Sequence, residues 1–170
     1  MVDGSNIWAV GTDDSLDGGT ENDLLSGGTG DDTLYGGEGD DKYGTNFIPG
    51  TEGTGNDLAY GGNGNDVLQE LGNDGNGNDT FYGDAGDDSL FGAIGSDSLF
   101  GGIGNDVIFG GDDYFAVALN KDDTLSGGAG NDIVYGEDGN DTMYFGQNGS
   151  AYGPEFEGGE DQFDGGVGDT

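Results

Sequence analysis

The chain has 170 residues, the length of one domain, with 36 Asp and Glu against 2 Lys and Arg, a net charge of −34. Such a charge repels nucleic acid and anionic membrane surfaces and draws in cations. With no Cys and no His, disulfides, thiolate sites and ordinary zinc or iron sites are excluded, which leaves hard cations held by oxygen.

Low hydrophobicity with high net charge is the usual mark of a disordered chain. Here the acidic and apolar residues both recur in register, unlike an acidic tail. The chain reads as a polymer that folds once its charge is cancelled. No apolar run approaches the length needed to span a membrane, and the opening Met1-Val2-Asp3 is unlike a secretory signal peptide.

Along the chain, residues 1–13 are expected to cap one end of the fold, with Ile7-Trp8-Ala9-Val10 as the apolar part. From Asp14 a nine-residue beat sets in, G-G-x-G-x-D-x-U-x with U apolar. It is clearest in Gly27-Gly28-Thr29-Gly30-Asp31-Asp32-Thr33-Leu34-Tyr35, and again from Gly61, Gly101 and Gly127. The sixth-position aspartates are Asp14, Asp23, Asp32, Asp41, Asp57, Asp66, Asp79, Asp88, Asp97, Asp106, Asp123, Asp132, Asp141 and Asp161. The eighth positions hold Leu16, Leu25, Leu34, Tyr43, Ala59, Leu68, Phe81, Leu90, Leu99, Ile108, Leu125, Val134, Met143 and Phe163.

The first six positions of each unit form a turn, where glycine permits positive φ. Positions seven to nine form a three-residue strand with position eight on one face. One apolar residue in nine builds a core only if strand and turn alternate, so that two sheets face each other and one coil takes two repeats. Each coil is buried only by its neighbours, as in other stacked-repeat folds. The expected fold is all-β: two facing sheets in a stack of about seven coils, roughly 33 Å long at about 4.8 Å per strand.

Four steps between successive aspartates exceed nine residues: Asp41 to Asp57 by 7, Asp66 to Asp79 by 4, Asp106 to Asp123 by 8 and Asp141 to Asp161 by 11. Loop insertions are therefore expected near 44–53, 70–73, 112–120 and 145–157. The last interval has a second reading, a degenerate repeat through Ser150 and Tyr152. Residues 158–170 form final repeats that stop short, so the chain is read as one domain, 1–170, cut from a longer protein. The insertion Tyr114-Phe115-Ala116-Val117-Ala118-Leu119 is the most apolar stretch and either covers its own roll or contacts a partner. Asn148-Gly149-Ser150 and the repeat-borne Asn78 and Asn140 match the glycosylation sequon without weight, and Asp74–Asn78 lacks the glycine and helices of an EF-hand.

This block resembles the nonapeptide repeat of RTX proteins, the calcium-binding parallel β-roll of secreted Gram-negative toxins, proteases, lipases, epimerases and adhesins. The likeness is good over residues 11–144 and weak over 158–170. Thr12, Glu21 and Lys121 depart from the fourth-position glycine, and Asp84, Ala93 and Glu137 from the second. The resemblance implies that the stacked coils form a right-handed parallel β-roll, or β-solenoid, with several Ca2+ ions in two rows flanking the sheets, each ion between one turn and the turn one coil on. It implies as ligands the fourteen aspartates above, with main-chain carbonyls such as those of Gly28, Gly30, Gly37, Gly39, Gly62, Gly64, Gly102, Gly104, Gly128 and Gly130. The best-formed sites are expected among Asp79, Asp88, Asp97 and Asp106, where the beat is unbroken.

The resemblance further implies a module that folds on calcium outside the cell, supports type I export and stabilises a larger parent protein through contact with its flanking domains. A chain secreted to, or held at the surface of, a Gram-negative bacterium is then expected. The alternatives are an adhesin, surface-layer or polysaccharide-binding module, or an accessory domain of a secreted protease, lipase or alginate epimerase. Ninth-position aromatics are expected to face outward, with Tyr35, Tyr60, Tyr82, Phe100 and Tyr144 on one sheet face, interrupted by Ser126. They either stack on sugar rings or a neighbouring domain, or stiffen the sheet by cross-strand pairing. No catalytic set is present in the sequence, which has no His, no Cys and no G-x-S-x-G elbow, so the chain itself is not expected to be an enzyme.

Overall fold

The computed structural model describes residues 6–9, 11–44, 55–69, 77–111, 122–137, 139–144 and 162–164. Its strands in chain order are β1 (Asn6–Trp8), β2 (Ser15–Thr20), β3 (Leu24–Ser26), β4 (Thr33–Glu38), β5 (Lys42–Tyr43), β6 (Leu58–Asn63), β7 (Val67–Gln69) and β8 (Thr80–Ala85). They continue as β9 (Ser89–Phe91), β10 (Ser98–Ile103), β11 (Val107–Phe109), β12 (Thr124–Ala129), β13 (Ile133–Tyr135), β14 (Thr142–Tyr144) and β15 (Gln162–Asp164). Odd strands from β1 to β13 build a seven-stranded sheet, and even strands from β2 to β14, with β15 beyond β14, build an eight-stranded one. Every pairing is parallel. The chain is thus an all-β solenoid in which successive repeats alternate between two sheets.

The eighth-position residues from Leu16 to Met143 are all buried and form one continuous core, with Ile7 and Ala9 packed against it. Position eight points inward because side chains alternate along a strand and the turns on either side hold the register. Leu34 pairs with Ala59 and Ala59 with Phe81; the small Ala59 side chain leaves a cavity of about 20 Å³ beside Leu25 and Tyr43.

The register carries three of the insertions through without loss. Asp41 lies one coil below Asp66, 25 residues on, Asp66 below Asp88 at 22, and Asp106 below Asp132 at 26, in place of the plain 18. β15 sits beside β14 in the same sheet, with Met143 opposite Phe163. Between the two strands lie residues 145–161, which hold the expected insertion and the degenerate-repeat alternative through Ser150 and Tyr152. Those residues, Tyr114–Leu119 and Lys121 lie outside the described ones.

Two expectations change. Six coils carry a described strand in both sheets, β2/β3 through β12/β13, slightly fewer than the seven expected. Strands are not uniformly three residues long either: β2, β4, β6, β8, β10 and β12 each have six. They run on through the first three turn positions, where Gly37 pairs with Gly19 and Gly62, and Gly102 with Asp84 and Gly128. The glycines hold positive φ at these paired positions, and β-propensity alone would not reveal the pairing.

Ninth-position rings stand on the outer faces in two columns. Tyr35, Tyr60, Tyr82 and Phe100 stack at centroid distances of 5.2, 5.0 and 5.0 Å, with ring planes within 12° of parallel. On the other sheet Phe91, Phe109 and Tyr135 stack at 5.3 and 4.7 Å. Ser126 separates Phe100 from Tyr144, as the spacing predicts.

Candidate metal centre

Alternation of the sheets sorts the turns into two sides. Outgoing turns lead from the eight-stranded sheet to the seven-stranded one and end on Asp23, Asp41, Asp66, Asp88, Asp106 and Asp132. Return turns lead back and end on Asp14, Asp32, Asp57, Asp79, Asp97, Asp123 and Asp141. Asp161 lies outside the described residues. Asp14 and Asp57 are half-buried; the other eleven are at most 3 % exposed. The four aspartates expected to form the best sites are divided between the sides, Asp88 and Asp106 on the outgoing, Asp79 and Asp97 on the return.

From Asp32 to Asp141 each of these carboxylates reaches back one coil. Asp66 Oδ1 accepts the Asp41 N–H at 2.7 Å, Asp88 Oδ1 the Asp66 N–H at 2.8 Å and Asp106 Oδ1 the Asp88 N–H at 2.9 Å. On the return side Asp32 accepts from Asp14, Asp57 from Asp32 and Asp97 from Asp79. The second oxygen is left over: Oδ2 of Asp32, Asp41, Asp66, Asp88 and Asp106 is buried with no hydrogen-bond partner. A buried carboxylate oxygen without a donor is strongly unfavourable, and it marks a place where a positive ion belongs.

The ten glycines expected to lend carbonyls, from Gly28 to Gly130, all hold positive φ, between 95° and 150°. The sequence reading missed the role of the first glycine of each turn, which faces inward at the same spot as Oδ2. A Cβ built on Gly92 would lie 2.5 Å from Asp97 Oδ2 and 2.6 Å from the carbonyl oxygen of Gly110, one coil on. Built on Gly18, it would lie 2.7 Å from Asp23 Oδ2 and 2.8 Å from the Gly36 carbonyl oxygen. Carboxylate and main-chain oxygens thus converge on a cradle kept open by a missing side chain. No three acidic side chains gather into a cage among the described residues, so a cation here would take most of its oxygens from the backbone.

A second ladder also escaped the sequence reading, although its signal was present: the fifth position is always Asp, Asn or Ser from Asp13 to Asn140. These side chains reach forward where the sixth reaches back. Asp31 N–H donates to Asp13 Oδ1, Asn105 N–H to Asp87 Oδ1 and Asn140 N–H to Asp122 Oδ1, at 2.8–3.1 Å. They lie exposed and satisfy turn amides, whereas the sixth position is buried.

Burial governs the electrostatics. It pushes Asp57 and Asp88 up to about 7, and Asp66 and Asp106 up to about 6, with neighbouring carboxylates adding to the rise. Asp32, Asp41 and Asp132 are raised for the same first reason. Each is a carboxylate deprived of water without a counter-charge. Oxygen-only donors, orphaned Oδ2 atoms and flexible geometry fit Ca2+, which takes six to eight oxygens at about 2.3–2.6 Å, better than Mg2+, which demands a near-ideal octahedron.

The family model described as the RTX calcium-binding nonapeptide repeat (4 copies) matches this chain over residues 8–43, 53–69, 71–99, 91–113 and 118–148. The chain belongs to the RTX calcium-binding repeat family. No curated protein and no solved structure matches it. Within this RTX module the departures from the repeat have visible consequences. Glu21, Asp84, Ala93 and Glu137, each in place of a glycine, are the four non-glycine residues with positive φ among the described ones.

Proposed function

We propose that this RTX module is a calcium-gated folding unit of a secreted Gram-negative protein, unfolded inside the cell and folded outside it. The sixth-position aspartates from Asp14 to Asp161 hold the ions together with turn carbonyls, and the loaded module stabilises the parent protein and supports its type I export. The observation that carries this reading is the row of buried Oδ2 atoms of Asp32, Asp41, Asp66, Asp88 and Asp106, which no protein donor reaches. Without a cation those oxygens and the net charge of −34 oppose compaction, so ion-binding free energy becomes folding free energy. Extracellular calcium modules work at about 10⁻⁴ to 10⁻³ M, a range that separates the bacterial cytosol from its surroundings.

A polysaccharide-binding role through the tyrosine column is less well supported. Rings stacked at about 5 Å already cover one another's faces, and the column is flanked by Asp17 and Ser126 rather than by open ring faces. Such a column stiffens the sheet.

The test is far-UV circular dichroism during a calcium titration of the chelated chain, with magnesium in parallel. A cooperative coil-to-β transition near millimolar calcium, absent with magnesium, is expected. A chain already folded in chelator would overturn the switch.

A further inference from the structure

The two sides of the solenoid are not equivalent. On the outgoing side every turn has six residues, from 18–23 to 127–132. On the return side 9–14, 27–32, 92–97 and 136–141 are that short, whereas the chain takes a longer path between Tyr43 and Asp57, Gln69 and Asp79, and Phe109 and Asp123. The long strands also run into the outgoing turns. Gly62 pairs with Asp84 and Asn63 with Ala85, and Gly102 and Ile103 continue the same two rows. The ladder extends to the fourth position, where Gly64 N–H donates to Ala85 O at 2.9 Å and Gly86 N–H to Ile103 O at 2.8 Å. Forming the sheet therefore sets the outgoing turns, whereas the longer return connections carry added loop-closure entropy.

The outgoing turn 83–88 carries a carboxylate at its second position, as the return turn 136–141 does with Glu137, while Glu21 holds one at the fourth position of 18–23. Asp84 stands where Gly19, Gly37, Gly62, Gly102 and Gly128 stand in their turns, at φ +72°. It lies in the turn that ends on Asp88 and pairs in register with Gly62 of the turn that ends on Asp66; the Oδ2 atoms of both aspartates are buried with no hydrogen-bond partner. A strained residue that also brings like charge to such a place is doubly unfavourable in the bare protein. It becomes favourable once a divalent ion sits there.

We propose that calcium loads first along the outgoing turns, seeded where Asp84 joins Asp66 and Asp88, and that the return side fills afterwards. The proposal rests on the calcium reading above and adds an order to it. Asp88 and Asp97 make a matched pair for the test: both are 1 % exposed, and each Oδ1 accepts a neighbouring aspartate's N–H at 2.8 Å. Asn keeps the shape and that acceptor but not the charge. Calcium titrations of the full chain, read by circular dichroism, compare wild type with D88N, D97N and D84N. D88N is expected to raise the calcium midpoint several-fold, or to prevent folding, and D97N to raise it less. D84N, at an exposed site where Asn tolerates the backbone at least as well, is expected to raise the midpoint without loss of the folded end state. Shifts for D97N equal to or larger than those for D88N, or a D84N midpoint unchanged from wild type, would overturn the proposal. A wild-type chain without any calcium transition would instead remove the calcium reading itself.

Discussion

Glu21 at φ 91°, Asp84 at 72°, Ala93 at 68° and Glu137 at 65° occupy backbone that glycine adopts freely and other residues adopt at a cost of about 1–3 kcal/mol. Asp84 has a reason for bearing that strain if it serves an ion. Ala93 has none, since a methyl group supplies no ligand. Ala93→Gly removes the strain but loosens the unfolded chain, and the first effect is the larger at this φ. The variant is expected to gain about 1 kcal/mol in urea unfolding at saturating calcium. An unchanged or lower stability would mean that the 93 methyl, buried at 9 % exposure, contributes packing that outweighs its backbone.

At the scale of strands, the stacked rings form two columns whose pairs contribute about 0.5–1.5 kcal/mol each beyond simple burial. The column on the long-strand sheet breaks at Ser126, which pairs in register with Phe100 on one side and Tyr144 on the other. Ser126→Tyr would supply the missing ring and join Phe100 to Tyr144. Thermal unfolding with calcium present is expected to show a gain of roughly 1–2 kcal/mol, and a loss would mean that Ser126, half-buried, has no room for a ring. That column could be placed on one face from sequence because the nine-residue beat survives each insertion. The core was equally legible, since position eight is the one position that is apolar in every repeat. Less legible was the split between long and short strands, because the glycines that extend β4 or β10 are the same ones that read as turns. The inward-facing role of Gly18 or Gly92, and the fifth-position ladder from Asp13 to Asn140, also went unread. Both follow from contacts between turns one coil apart, which local pattern does not display.

For the whole molecule the question is whether calcium acts as a general counter-ion or as a ligand in buried sites. Salt and acid separate the two. Roughly 1 M NaCl shortens the Debye length to about 3 Å, which screens exposed charges such as Asp13, Asp31 and Asp40. It does not reach Oδ2 atoms closed off from solvent. Protons do reach them, because unfolding and refolding expose each carboxyl. Asp57 and Asp88 titrate near 7 and Asp66 and Asp106 near 6 in the fold, against about 3.9 in an unfolded chain. A carboxyl raised in this way favours the fold fully below its unfolded pKa, and that advantage is lost as pH rises through the folded value. In chelator, the chain is therefore expected to stay unfolded at neutral pH in molar salt, yet to gain β-sheet signal as pH falls from about 7 towards 4. Circular dichroism across the two series decides it. Folding in salt at neutral pH would make calcium a screening ion rather than a ligand; folding in acid alone would show that neutralising the buried aspartates is what the solenoid requires.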